Sequence, residues 1–167
     1  MKRKTYRMIA VLLMTLVAVT ATAQDQSDQA KAYFSGYLDS KSMAELLIKS
    51  LPTLEDCKSV FREPDAETYF KAIEEMKAKQ GTELSEESEA FADVRVESFS
   101  TRDIEQGNGN YAGGMEGIKD KLQPDVVFYK VSFLREKDAE RGLAFKYWGY
   151  INGRWVFFPK PYSVFEK

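Results

Sequence analysis

The chain of 167 residues contains no histidine. That absence removes Ser-His-Asp and Cys-His catalysis, together with the commonest metal ligand. There is one cysteine, Cys57, so no internal disulfide can form. Small secreted domains held together by disulfide frameworks are built differently. Cys57 falls on the apolar side of a helical pattern with only Lys58 beside it, and reads as a buried, inert thiol. None of Asn108, Asn110 and Asn152 is followed by a hydroxyl at the third position, so no glycosylation sequon exists. The longest apolar run, Met8–Val19, covers 12 residues and is too short to span a bilayer.

That run has the shape of a secretion signal instead. Lys2, Arg3, Lys4 and Arg7 precede it, and Ala21-Thr22-Ala23 follows as a small-x-small cleavage site. Cleavage between Ala23 and Gln24 is expected. No twin-arginine pair is present, and no cysteine follows closely enough to carry a lipid. The expectation is an exported bacterial protein, periplasmic or extracellular, with no stable membrane anchor after cleavage. Of the 24 basic and 26 acidic residues, four basic and no acidic ones lie in 1–23, which leaves the mature chain at a net −6. That charge argues against nucleic acid and anionic membrane surfaces as partners.

Three units are expected: a signal peptide over 1–23, a polar and helical lead-in over 24–41, and a single α+β domain over 42–167. In the lead-in, Tyr33, Phe34, Tyr37 and Leu38 line one helical side, weakened by Gly36. Ser42 with Glu45 predicts a capping box opening a helix that Pro52 ends. Thr53 with Asp56 predicts a second box and a short helix carrying Leu54, Cys57, Val60 and Phe61. Pro64 starts a third helix with Ala66, Tyr69, Phe70, Ile73 and Met76 or Lys77 on one face, and Gly81 is its natural stop. Residues 82–90 read as an acidic linker. The period then changes to two: Ala92, Val94 and Val96 alternate with Asp93, Arg95 and Glu97. Residues 102–124 are irregular and hold five of the ten glycines, with a short helix expected over 115–122. Strands follow at 126–134 and 143–151.

The sharpest local signal is YWGYINGRWVFF, residues 147–158. Asn152-Gly153 suits a type I′ turn, which needs φ > 0 at both central positions. A two-residue loop fixes the register: Ile151 with Arg154, Tyr150 with Trp155, Gly149 with Val156, Trp148 with Phe157 and Tyr147 with Phe158. One face then carries Trp148, Tyr150, Trp155 and Phe157, the other Tyr147, Ile151, Val156 and Phe158. Both faces are apolar. Helices first and a meandering sheet last is the α+β signature: N-terminal helices packed on one face of a curved antiparallel sheet of about four strands. A single helix layer leaves the second face to a cavity, a partner or the glycine-rich segment. Tyr129, Trp148, Tyr150, Trp155 and Phe157 form the candidate ligand-binding wall, with polar tips on an aromatic surface. An eight-residue loop before the third strand leaves open whether Tyr129 or Phe128 joins Trp148.

Other chemistries fail on spacing. Asp93 and Glu97 share a strand face about 13 Å apart, too wide for a glycosidase pair. GNGNYAGGMEGIK lacks the Gly-Lys-Ser/Thr of a phosphate loop, and Asp103 with Glu105 misses the calcium-loop pattern. No cofactor and no metal are expected.

The helix and strand order over about 42–160, with the INGRWVFF hairpin, resembles the nuclear transport factor 2-like and cystatin-like superfamily. LPTLEDCKSVF is similar to a segment of uncharacterised secreted bacterial members. The resemblance implies a cone-shaped α+β domain. Members include isomerases, dehydratases, ligand binders and dimerisation modules, so it does not choose a function. The catalytic aspartate or histidine of the ketosteroid isomerase-like members has no counterpart matched here. The expected function is non-enzymatic binding of a small ligand or protein partner, a second copy of the chain included, through the aromatic sheet face. The alternatives are a lyase or isomerase with a carboxylate in the cone, and a purely structural module. Exported from a Gram-negative host, the protein should have an intact mass that begins at Gln24; a mass retaining residues 1–23 would contradict the signal.

Overall fold

The structure, a computed structural model, describes residues 26–79 and 89–166. The cleavage site, the Gly81 stop and most of the acidic linker lie outside them. Helix α1 covers 26–34 and stops short of Gly36. Helices α2 (Ser40–Lys49), α3 (Leu54–Val60) and α4 (Asp65–Lys79) follow. Strand β1 (Asp93–Ser100) leads directly into α5 (Thr101–Gln106), and a 3-10 segment spans Gly113–Lys121. Strands β2 (Val127–Leu134), β3 (Leu143–Ile151) and β4 (Arg154–Phe157) complete a four-stranded antiparallel meander in the order β1-β2-β3-β4. A second 3-10 segment, Pro161–Val164, ends the described chain. The α+β class and the strand count agree with the sequence pattern.

Local chemistry explains most boundaries. The Thr53–Asp56 capping box forms as expected. The Ser42 box does not: the N-cap of α2 is Asp39, whose side chain accepts from the Ser42 backbone N–H at 2.9 Å. Aspartate accepts a backbone donor as readily as serine, so the helix starts a turn earlier than the Ser-x-x-Glu pattern suggests. Helix α5 lies in a stretch whose sequence pattern is irregular, although Ser100 and Asp103 make a full capping box at its start. It is one of the shortest elements, and only Thr101 and Ile104 are buried along it.

The hairpin register is the predicted one in all four ladder pairs, and the Phe158 N–H donates to the Tyr147 carbonyl at 3.0 Å. Asn152 and Gly153 have φ of +51° and +79°, as the turn type requires. Tyr129, not Phe128, faces Trp148. The pairing between β2 and β3 shifts at a bulge, where Lys146 and Tyr147 together oppose Lys130. Tyr147 takes φ +70° there, a left-handed conformation that costs an L-residue about 1–2 kcal/mol. The bulge breaks the alternation, so Phe145 and Trp148 contact the same core although they are three residues apart.

The sheet is covered on both faces. On one, Ala30, Phe34, Met43 and Leu46 from α1 and α2 pack against Val94, Tyr129, Val131, Phe133, Trp148 and Trp155. On the other, α3, α4 and the glycine-rich 3-10 segment pack against Phe99, Phe128, Tyr147, Val156 and Phe158. The expectation that helices would shield a single face treated them as one layer. The chain instead divides at residues 50–53, where it passes the edge of β4 and the Phe157 N–H donates to the Ser50 carbonyl at 2.7 Å. Gly114 allows the cover to close, since a Cβ there would stand 2.5 Å from the Tyr162 ring.

Asp56 joins the two halves. It is 3% exposed at the side chain and accepts from the Thr53 N–H at 2.9 Å, from Asn152 Nδ2 at 3.0 Å and from the Arg154 guanidinium. Burial pushes its carboxyl pKa upward, but the hydrogen bonds from Thr53, Asn152 and Arg154 outweigh this and hold it below the ordinary carboxylate value. The folded pKa is thus lower than the unfolded one. Its stabilisation is complete above the usual carboxylate range and is lost as pH falls through the lowered value. Asp56→Ala should cost about 3 kcal/mol in urea denaturation at neutral pH. Asp56→Asn should flatten the acid limb of the stability curve; an unchanged acid limb would contradict the assignment.

Candidate functional site

The five residues expected to form one aromatic wall do lie close together. Tyr129 and Trp155 meet edge to face at 5.1 Å between ring centres, Tyr150 and Trp155 at 5.3 Å, and Trp148 and Phe157 at 5.1 Å. The wall is not open, however. Phe34 of α1 sits on it, 4.7 Å from Trp148 and 5.3 Å from Trp155. Trp148 is fully buried, Tyr129 and Trp155 are buried, and only Tyr150 is exposed.

What remains of the wall reaches separate openings. Trp155 borders a cleft of about 270 Å³ with Tyr33, Tyr37, Glu45, Lys49 and Arg154. Burial, with a smaller contribution from Tyr37, pushes the Tyr33 phenol up to about 12. Tyr129 and Tyr150 border a second opening of about 300 Å³, where the Tyr129 hydroxyl donates to Gln26 Oε1 at 2.9 Å. Phe157 borders a third and larger space. Trp148 borders none of these openings.

The larger space is a groove of about 600 Å³. One wall is β3 over residues 144–147, and the other is the chain that leaves β4, residues 157–163. These walls diverge because β4 pairs only with residues 148–151 and its chain then turns away at Pro159. Met76 of α4 and Ala112 also contribute to the lining. The volume lies within the range of small-molecule sites, and the lining is chiefly apolar with a few polar groups.

Tyr147 is the polar group of most interest. The residue is 3% exposed, and its hydroxyl is sealed from solvent and makes no hydrogen bond to any described residue. Burial pushes the phenol up to about 12 and Tyr162 adds to the rise. The Ala112 N–H pulls the other way without completing a hydrogen bond. The group therefore stays protonated at neutral pH, a donor lacking an acceptor. Its ring is held edge to face by Phe99 at 6.0 Å, Phe128 at 6.2 Å and Tyr162 at 6.1 Å. Lys146 and Lys160 border the same groove, and Lys160 shares the left-handed backbone of Tyr147 with φ +40°. Two left-handed non-glycine residues on one groove concentrate backbone strain at that place.

The remaining candidates are structural. The Cys57 thiol is buried and pushed up to about 12, first by desolvation and then by Asp56. Glu97 pairs with Lys130 at 2.6 Å across the strand, and Asp93 with Lys31 at 3.5 Å, so these carboxylates serve separate ion pairs. The glycine-rich stretch buries Met115 and Ile118 and closes the second core. Among the described residues no group of three His, Cys, Asp or Glu side chains is arranged to hold a metal.

The sequence did not point to this groove. A bulge that flips Tyr147 leaves no motif, and parity counted from Trp148 misassigns Lys146 across it. Comparison with family models, with curated proteins and with solved structures finds no match.

An unpaired buried hydroxyl costs about 1–3 kcal/mol. Tyr147→Phe keeps the ring and removes that cost. It should leave stability in urea unchanged or raise it by about 1 kcal/mol. A clear loss of stability would mean that the hydroxyl is bonded inside the protein.

Proposed function

We propose that this is an exported, non-enzymatic protein that binds a small molecule in the groove between β3 and the chain leaving β4. The observation that carries this is the preformed, chiefly apolar groove of about 600 Å³, bordered by Lys146 and Lys160. Phe157 links the groove to the aromatic face identified in the sequence. The secretion signal supports export. The helix-first, sheet-last order supports a relation to the nuclear transport factor 2-like and cystatin-like superfamily.

The chemistry of the lining favours binding over turnover. It includes no aspartate, glutamate, histidine or cysteine. A lyase or isomerase of the kind weighed above needs a carboxylate base directed at its substrate. A purely structural module would have no need of an open groove. The net −6 of the mature chain continues to disfavour nucleic acid.

The test uses 8-anilinonaphthalene-1-sulfonate, an anionic aromatic dye that brightens in apolar sites. The folded wild type should bind about one equivalent at micromolar protein. Ala112→Trp, which fills the groove, should abolish the signal, while Tyr37→Ala in the smaller cleft should not. A dye signal that survives Ala112→Trp, or is absent from the wild type, would overturn the proposal.

A further inference from the structure

The groove differs in charge from the chain around it. The protein carries more acidic than basic residues, yet Lys146 and Lys160 border the groove with no carboxylate in the lining. Neither lysine makes an ion pair with a described residue. They form a pair of cationic donors at the groove. A carboxylate has lone pairs enough for two ammonium groups at once, and charge-assisted hydrogen bonds of this kind are the strong ones.

The apolar part continues beyond the groove. Met76, Phe157 and Pro159 also border an adjoining depression of about 160 Å³, lined by Leu47, Ile48 and Leu51 of and after α2. Ile48 is 50% exposed, one of the few large apolar side chains left open to water. The two spaces adjoin at Met76, Phe157 and Pro159, with the lysines bordering one and aliphatic side chains the other. Charge and shape are thus both matched by one class of molecule.

Resting on the groove as the binding site, we propose that its occupant is a single-chain amphiphile ending in a carboxylate. The head lies by Lys146 and Lys160 and accepts from their ammonium groups. The chain runs over Phe157 and Met76 toward Leu47 and Ile48. An extended peptide laid along residues 143–146 of β3, which project past the end of β4, is the competing occupant.

Displacement of the anilinonaphthalene dye from the full mature chain tests this, with decanoate, decanol, decylammonium and a valine-threonine hexapeptide as probes below micelle-forming concentrations. Decanoate should displace the dye at a concentration about tenfold lower than decanol, with decylammonium weakest and the hexapeptide inactive. Lys160→Met should erase the preference for decanoate while leaving decanol unchanged. Ile48→Asp, at a half-exposed site, should weaken both ten-carbon probes. Equal displacement by decanoate and decanol, a preference that survives Lys160→Met, or displacement by the hexapeptide alone would overturn the proposal. Dye that binds in the groove but resists decanoate would reject this ligand class and keep the site. Dye that never enters the groove would reject the site itself.

Discussion

The carboxylate of Asp56 is the contact on which the arrangement of this protein turns. It closes the first turn of α3 and at the same time receives the Asn152 and Arg154 side chains from the β3–β4 turn. One buried anion therefore fixes a helix start against a hairpin tip nearly 100 residues further along the chain. The Ser50 carbonyl bonded to the Phe157 N–H makes a second tie between the same two segments. With the hairpin tip held on one side, β4 ends after four residues and its chain departs toward Pro161. The groove is the wedge that this departure leaves beside β3. A buried charge of this kind is costly to desolvate and is best justified by the geometry it specifies.

The same geometry accounts for the strain around the groove. If β3 ran without a bulge, Tyr147 and Phe145 would share a face. The added residue brings Phe145 and Trp148 into one core and drops Tyr147 into the other. The cost is a left-handed backbone at a bulky residue and a hydroxyl sealed without an acceptor. Packing on both sides of the sheet holds that conformation in place. Local rules broken together at one site mark a place maintained for something other than stability.

Much of the fold could be read from the chain. The Asn152-Gly153 turn fixed four strand pairs without ambiguity, and the Thr53–Asp56 box located α3. Period-two alternation located β1, and the largely apolar β2, interrupted only by Lys130 and Ser132, reflects a strand buried on both faces. Two kinds of information were hidden. The first was layer assignment: amphipathic helices announce that they pack, not which face of a sheet they choose, and here α1–α2 and α3–α4 choose opposite ones. The second was the bulge, which has no residue signature when its left-handed position is a tyrosine and not a glycine. For the same reason the aromatic wall was legible as a cluster but not as a core. Phe34, which closes it, lies in a helix whose pattern gives no register against the sheet.

A chemical-shift map of bound anilinonaphthalene sulfonate on the isotopically labelled mature protein tests the central claim most directly. The groove account predicts that the largest amide shifts fall at Ala112, at residues 144–147 and at residues 157–163, with little change at Tyr33, Tyr37 or Trp155. Shifts centred on Tyr33, Tyr37 and Trp155, with residues 144–147 unmoved, would contradict it and return the binding site to the edge of the aromatic face.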